Sequence, residues 1–171
     1  MSAPLQQSMS PYAGLFGSPP RAAVSDFQAK KRLKLYHWAS KTGESSKGLI
    51  LLVHGFGEHL GRYDHVAEFY ASLGYEVRGS DLVAHGLSEG FDGSYGRLDI
   101  EELTANWTQY VWSEIMPLSG PHYIYCHSTG GLITFLALER LAEKWPQLRG
   151  VVFSAPLIRR HMNSCDICDE I

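Results

Sequence analysis

Cysteine is scarce, basic charge is not in excess, and no apolar run is long. Three cysteines, Cys126, Cys165 and Cys168, are too few and too unevenly placed for the disulfide framework of a small secreted domain, so a reducing, cytoplasmic compartment is the default. Fifteen Lys and Arg against eighteen Asp and Glu leave a net charge of −3. Such a chain has no field with which to hold a polyanion, which argues against a nucleic-acid partner. The longest aliphatic run, residues 49–53, falls far short of the roughly 20 apolar residues of a membrane-spanning helix. No transmembrane segment is expected, although peripheral contact with a membrane stays open. The first 25 residues hold Arg21 as their only charge and lack the basic start and apolar stretch of a signal peptide. That single Arg gives an organelle transit peptide little support.

What is present is the composition of one globular domain: 171 residues, 44% hydrophobic and 19% charged, with mean hydropathy −0.15. Residues 1–25, with Pro4, Pro11, Pro19 and Pro20 and no apolar periodicity, read as a flexible leader, and the fold is expected to begin near Asp26. In residues 31–39, Leu33, Leu35 and His37 alternate with Lys34, Tyr36 and Trp38, the period of a half-exposed strand near a sheet edge. Its basic cluster is then a solvated face. The run 49–53 is continuous, as in a parallel strand buried on both sides. Residues 62–73 repeat Val66, Phe69, Tyr70 and Leu73 at helical spacing, and 75–80 read as the next strand. Residues 100–115 place Ile100, Leu103, Trp107, Tyr110, Val111 and Ile115 on one helical face, with Asp99 and Glu102 as a capping pair. Strand 122–126, helix 131–145 and strand 151–155 follow. Trp107, Tyr110, Trp112 and Trp145 read as packing against the sheet. Strand and helix alternate in units near the length of a βαβ crossover, so the fold class is α/β, with a mostly parallel sheet covered by helices on both faces.

The chemistry concentrates where the strand 122–126 meets the following helix, at Cys126-His127-Ser128-Thr129-Gly130-Gly131. A tight strand-to-helix turn forces a nucleophile into a strained conformation, so its close neighbours must be small, and its hydroxyl is presented at a helix N-terminus. Gly130 meets that need; Cys126 stands where G-x-S-x-G has its first glycine. Alternatively, Ser128 merely caps the helix. A second segment, His54-Gly55-Phe56-Gly57-Glu58-His59, follows the first buried strand. There the backbone amides of Phe56 and Thr129 would face the oxyanion of a tetrahedral intermediate.

Together with Arg62-Tyr63 and with Asp81-Leu-Val-Ala-His85-Gly86-Leu-Ser88-Glu-Gly90, these segments resemble the successive motifs of the monoacylglycerol lipase and lysophospholipase group of α/β-hydrolases, the serine aminopeptidase type. The resemblance covers about residues 27–157. It implies an α/β-hydrolase fold, Ser128 as nucleophile, Phe56 and Thr129 as oxyanion amides, and His54, Gly55, Glu58, Asp81, His85, His127 and Gly130 as residues that support the site. It also implies a small acyl ester or lipid substrate, no cofactor and no metal. Two residues depart from the pattern: Cys126, and Ala84 where the segment before His85 usually has glycine. The second puts that loop's backbone in question.

In this fold the acid and the histidine follow the serine in that order. After Ser128 the only histidine is His161, and the only aspartates, Asp166 and Asp169, lie beyond it. His127, adjacent to the serine, cannot turn to serve as its base. Residues 26–157 are therefore expected to be the N-terminal part of a hydrolase domain that stops after the sixth strand, with 158–171 as an irregular tail. A sheet ended there would expose an edge and favour self-association. Other readings stay open. A remnant of the fold could bind a ligand or partner without catalysis. Gly55, Gly57 and Gly61 with Asp81 suggest dinucleotide binding, but at G-x-G-x-x-x-G, one residue too long. His161, Cys165 and Cys168 supply only three of the four ligands of a structural zinc site.

Overall fold

A computed structural model describes residues 21–43, 45–91 and 99–158. The tail beyond residue 158, with His161, Cys165, Asp166, Cys168 and Asp169, lies outside the described residues, as do residues 1–20. The elements run β1 (Ala23–Gln28), β2 (Arg32–Trp38), β3 (Leu49–Val53), α1 (Asp64–Ser72), β4 (Glu76–Ser80), α2 (Ile100–Tyr110), β5 (His122–His127), α3 (Thr129–Leu141) and β6 (Leu148–Ser154).

They form one six-stranded sheet in the order β1-β2-β4-β3-β5-β6. β2 runs antiparallel to both of its neighbours, β1 and β4, while β4, β3, β5 and β6 are mutually parallel. Every residue of β3 is buried, which explains its unbroken apolar run. From β3 the chain crosses over through α1 to β4 on one side, and from β4 it returns through α2, past β3, to β5 on the other. The order of strands thus reverses beside β3, and ligands of open α/β sheets bind outside the strands' carboxyl ends at such a point. Helices cover both faces. On one, α2 and α3 bury Trp107, Tyr110, Ile133 and Ala137 over Leu49, Leu51, Ile124 and Cys126. On the other, Ala67 and Ala71 of α1 pack on Tyr36, Trp38, Ile50, Leu52 and Val77.

Several expectations need correction. The first strand starts at Ala23, inside the stretch read as a leader. Apart from half-buried Phe27, its residues are exposed, so its pattern held no core signal; backbone pairing with β2 makes it a strand. In β2 the buried residues are Leu33, Tyr36 and Trp38, because β1 on one side and β4 on the other make it an inner strand. The inward face of α1 is set by Ala67 and Ala71, while Phe69 and Leu73 are exposed. Trp112, expected against the sheet, is exposed as well. Trp145 is buried and its Nε1–H donates to His122 Nδ1 at 2.8 Å. As expected, the Asp99 carboxylate caps α2 by accepting from Glu102 N at 3.0 Å. The basic residues of β2 form ion pairs at the surface, Arg32 and Lys34 with Asp26.

Candidate active site

Ser128 lies between the last residue of β5 and the first of α3, with φ +49° and ψ −119°. A side chain at positive φ is strained, and the surrounding structure must over-determine it. It does so by closeness. A Cβ on Gly130 would lie 2.5 Å from the carbonyl oxygen of His54 and 2.7 Å from that of Val53, so only glycine lets α3 start against the end of β3. A Cβ on Gly131 would meet Pro156 Cβ at 2.8 Å. On the β6 side, Ser128 N donates to Ser154 O at 3.1 Å, and Ser128 O accepts from Leu157 N at 3.0 Å. The turn is held by backbone from both flanks. Thr129, the first residue of α3, presents its amide at the helix N-terminus, where N–H groups lack intrahelical acceptors.

Cys126 is fully buried on β5, its thiol directed to Val152 O at 3.4 Å. Burial pushes that thiol up to about 11 against the pull of a Thr134 hydrogen bond, so it stays protonated and inert.

The loop after β3 packs on the turn. A Cβ on Gly55 would lie 3.1 Å from Ser128 Cβ, 3.1 Å from Glu58 Oε2 and 3.3 Å from His127 Cδ2. Gly55 N donates to Glu58 Oε2 at 2.9 Å, and the Tyr63 hydroxyl donates to the same oxygen at 2.6 Å. Burial raises the Glu58 carboxyl, but these donors and the charges of His127 and Arg62 outweigh it and hold the group below its usual range. Phe56, next in the loop, places its ring edge-on to His85 with centroids 5.6 Å apart.

His54 is fully buried. Its Nε2 accepts from Leu82 N at 2.9 Å, which leaves Nδ1–H to donate to Gly55 O at 2.8 Å. The ring is fixed in one neutral tautomer, and burial with the nearby His85 lowers its pKa to about 3. Asp81, at the end of β4 and also fully buried, accepts from Leu60 N at 2.7 Å, Leu87 N at 2.8 Å and the Tyr36 hydroxyl at 2.9 Å. Burial lifts its pKa to about 6, against the lowering effect of those bonds. A Cβ on Gly86 would lie 2.2 Å from Asp81 Oδ2, so the loop after β4 can wrap the carboxylate only with glycine there, at φ +52°. In the same loop Ala84, the residue that departs from the glycine of the pattern, adopts φ +58°. The backbone keeps the left-handed conformation and the alanine is strained in it. His85 donates from Nδ1 to Val83 O at 2.8 Å, and burial lowers its pKa.

The residues singled out in the sequence thus converge: Ser128, Thr129 and Gly130 on the turn, Gly55 and Glu58 against it, His127 beside it with Nδ1–H on Ser154 O at 3.0 Å, and His54, Asp81 and His85 beneath the loops. None of His54, His85, His122 or His127 is hydrogen-bonded to the Ser128 hydroxyl; their ring nitrogens engage Gly55, Leu82, Val83, Trp145 and Ser154. Sequence reasoning quoted Ser88 within its motif and Tyr36 within its strand but assigned no role to either, and it did not single out Ser154. Ser88 links β2 to this loop, accepting from Lys34 N at 2.9 Å and donating to Asp81 O at 2.6 Å. Its place two residues after Gly86 was the available signal.

Residues 44–168 match the protein family described as serine aminopeptidase, S33. The chain belongs to that family of α/β-hydrolases. Among relatives of this serine aminopeptidase-type chain, the monoglyceride lipase of Rattus norvegicus is 34% identical over 122 residues, covering 69% of this chain and 38% of the relative. The caffeoylshikimate esterase of Arabidopsis thaliana is 30% identical over 118 residues, 65% of this chain and 33% of the relative. The fold is that of a soluble variant of monoglyceride lipase from Saccharomyces cerevisiae, solved with a substrate analog: TM-score 0.67, 24% identity, 89% of this chain and 49% of that one. The family member described here therefore spans well under half the length of these curated relatives. Among its described residues no helix is long and apolar enough to cross a membrane.

Proposed function

We propose that this chain carries the nucleophile and oxyanion half of a carboxylic ester hydrolase that acts on monoacylglycerol or lysophospholipid-type substrates. The observation that carries the reading is the conformation of Ser128, held at φ +49° between β5 and α3 and packed against Gly55. A non-glycine residue is kept in that region only where its neighbours force it. Ser128 attacks the ester carbonyl, and the amides of Phe56 and Thr129 receive the negative oxygen that forms, each such donor contributing about 3 kcal/mol to the barrier reduction. His54, Glu58, Asp81 and His85 stabilise the loops that set those amides, without touching substrate. The monoglyceride lipase relatives support the acylglycerol reading of the substrate, and the caffeoylshikimate esterase relative supports ester hydrolysis more broadly.

The general base is supplied from outside the described residues, and His161 precedes both aspartates of the tail, opposite to the order the fold uses. Without the proton relay, oxyanion hole and binding alone give weak residual catalysis. The 171-residue chain is expected to hydrolyse short activated esters no faster than its Ser128→Ala variant. A version extended by the C-terminal half of a monoglyceride lipase should gain hydrolysis that vanishes with Ser128→Ala. Activity of the extended version that survives Ser128→Ala would overturn the assignment of the nucleophile. A Ser128-dependent excess in the short chain would overturn the missing base. Failure of the extended version to outpace its own Ser128→Ala variant while folded, by circular dichroism, would favour the non-catalytic reading.

A further inference from the structure

We propose that the chain binds a small monocarboxylate, a carboxylate on a short apolar body, in a pocket at the amino ends of β3 and β4, anchored on Arg78. A cavity of about 360 Å³ opens there, with Ser45 and Ser46 on one side, Leu118, Ser119 and Gly120 on the other, and Arg78 of β4 in its wall. It lies at the opposite end of the strands from Ser128, which follows the last residue of β5. The strand β3 is two strands in from β6, and every lining residue falls between Ser45 and Gly120. The site is therefore separate from the ester-hydrolase reading and does not rest on it.

Backbone bonds tie the walls together. Lys47 N donates to Gly74 O at 2.9 Å and Glu76 N to Gly48 O at 3.0 Å, which joins the segment before β3 to β4. Leu49 N donates to Pro121 O at 2.9 Å, which joins it to the segment before β5. Ser46 Oγ adds a bond to Gly48 O at 2.8 Å and accepts from Glu76 N at 3.2 Å. A pocket formed in advance needs little ordering when a ligand enters.

What this pocket lacks is a partner for its cation. Arg78 Nε is buried with no hydrogen-bond partner, and among the described residues the guanidinium forms no ion pair. A charged donor left so is costly. Glu76, in the same wall, is engaged elsewhere: its Oε1 accepts from Ser40 N at 3.0 Å and its Oε2 is hydrogen-bonded to His37 Nε2. One guanidinium is thus left for an incoming anion, and its fork of donors matches a planar carboxylate. A dianion would also meet the repulsion of the Glu76 carboxylate, so one negative charge fits better than two. Ser45 and Ser119, both exposed, bring hydroxyls to the rim. Gly120, at φ +90° with open space where a Cβ would stand, lets a ligand reach the backbone. Leu49 and Leu118 line the remainder and suit an apolar body.

Amide NMR spectra of the isotope-labelled 171-residue chain, titrated with hexanoate, read the site directly. The Ser119 and Gly120 amides should shift and saturate, hexanol should leave them in place, and the hexyl phosphate dianion should bind more weakly than hexanoate. Arg78→Gln should weaken hexanoate binding about tenfold or more, and Ser45→Ala combined with Ser119→Ala about threefold, as charged and neutral hydrogen bonds differ. Arg78 is half-buried, so the dispersion of the Arg78→Gln spectrum is checked first; if it is lost, the exposed serine pair decides. Shifts that do not saturate, equal binding of hexanol, tighter binding of hexyl phosphate, or a folded Arg78→Gln or serine-pair variant that binds as the parent does would each overturn the proposal. So would shifts centred on the turn at Ser128 while the Ser119 and Gly120 amides stay still.

Discussion

Ser128 is held from two flanks that differ in kind. On the side of β3 and β4, buried polar groups meet one another: His54 with Gly55 and Leu82, Glu58 with Gly55 and Tyr63, Asp81 with Tyr36, Leu60 and Leu87. On the side of β6 the contacts to Ser128 are backbone bonds at Ser154 and Leu157, and beyond them Val152, Phe153, Phe135 and Ile158 face solvent. The first flank pairs most of its buried polar groups with one another, leaving Ser80 Oγ and His85 Nε2 buried without a partner among the described residues. The second leaves its apolar side chains exposed among the described residues. The same turn is thus constrained by two different means, buried polar groups on one flank and backbone bonds beside exposed apolar side chains on the other.

The sharpest way to break that comparison is to remove Asp81. Asp81→Ala strands the Tyr36 hydroxyl and the amides of Leu60 and Leu87 in a dry interior. Three buried donors left without an acceptor, at about 1–3 kcal/mol each, put the effect at about 3–5 kcal/mol of stability. Urea denaturation should show the transition move to much lower concentration, with α1, the loop after β3 and the loop after β4 loosening together. A loss under about 1 kcal/mol would mean that the flank is held by packing and that its hydrogen bonds are incidental.

A smaller effect separates the two flanks sterically. Gly130→Ala drives a methyl group to 2.5 Å from the backbone carbonyl of His54, which cannot swing aside as a side chain could. Overpacking against backbone costs about 1–3 kcal/mol. It should also push α3 away from β3, so in the version extended by the C-terminal half of a monoglyceride lipase, reaction of Ser128 with an organophosphonate should fall further than stability does. Equal losses in the two measurements would detach the turn from the loop after β3.

The sequence disclosed the turn and its loops because steric need restricts residue type there: Gly55, Gly86 and Gly130 each occupy a place where a Cβ would lie within about 3 Å of a neighbour. Asp81 was legible through its motif, but its partner Tyr36 lies 45 residues away in a strand whose alternation suggested a solvated position. Only the placement of β2 between β1 and β4 reverses that. The phase of α1 was misread for a related reason. Large Phe69 and Leu73 drew the apolar stripe, while the close approach to Trp38 and Val77 is made by Ala67 and Ala71, whose smallness is what lets the helix come near. The edge strand β1 left no hydrophobic trace, since backbone bonds to β2 are nearly all that defines it.

The finest probe of the braced flank is Ala84. Its φ of +58° places it in the left-handed region, as do Gly86 at +52° and Gly90 at +95° in the same loop. For an alanine that conformation costs roughly 1–2 kcal/mol, whereas glycine enters it freely and loses part of the gain through the greater freedom of its unfolded chain, roughly 0.5–1 kcal/mol. Ala84→Gly should therefore stabilise the chain by about 0.5–1 kcal/mol, an unusual sign for a glycine substitution. The Ala84 amide donates to Glu89 O at 2.9 Å, a bond that glycine keeps, so the change isolates backbone strain from contact loss. Thermal unfolding of the two proteins side by side reads the difference. A lower transition temperature for the glycine variant would show that the Ala84 methyl, which would lie 3.5 Å from a Cβ placed on Gly90, contributes more by packing than its backbone loses by strain.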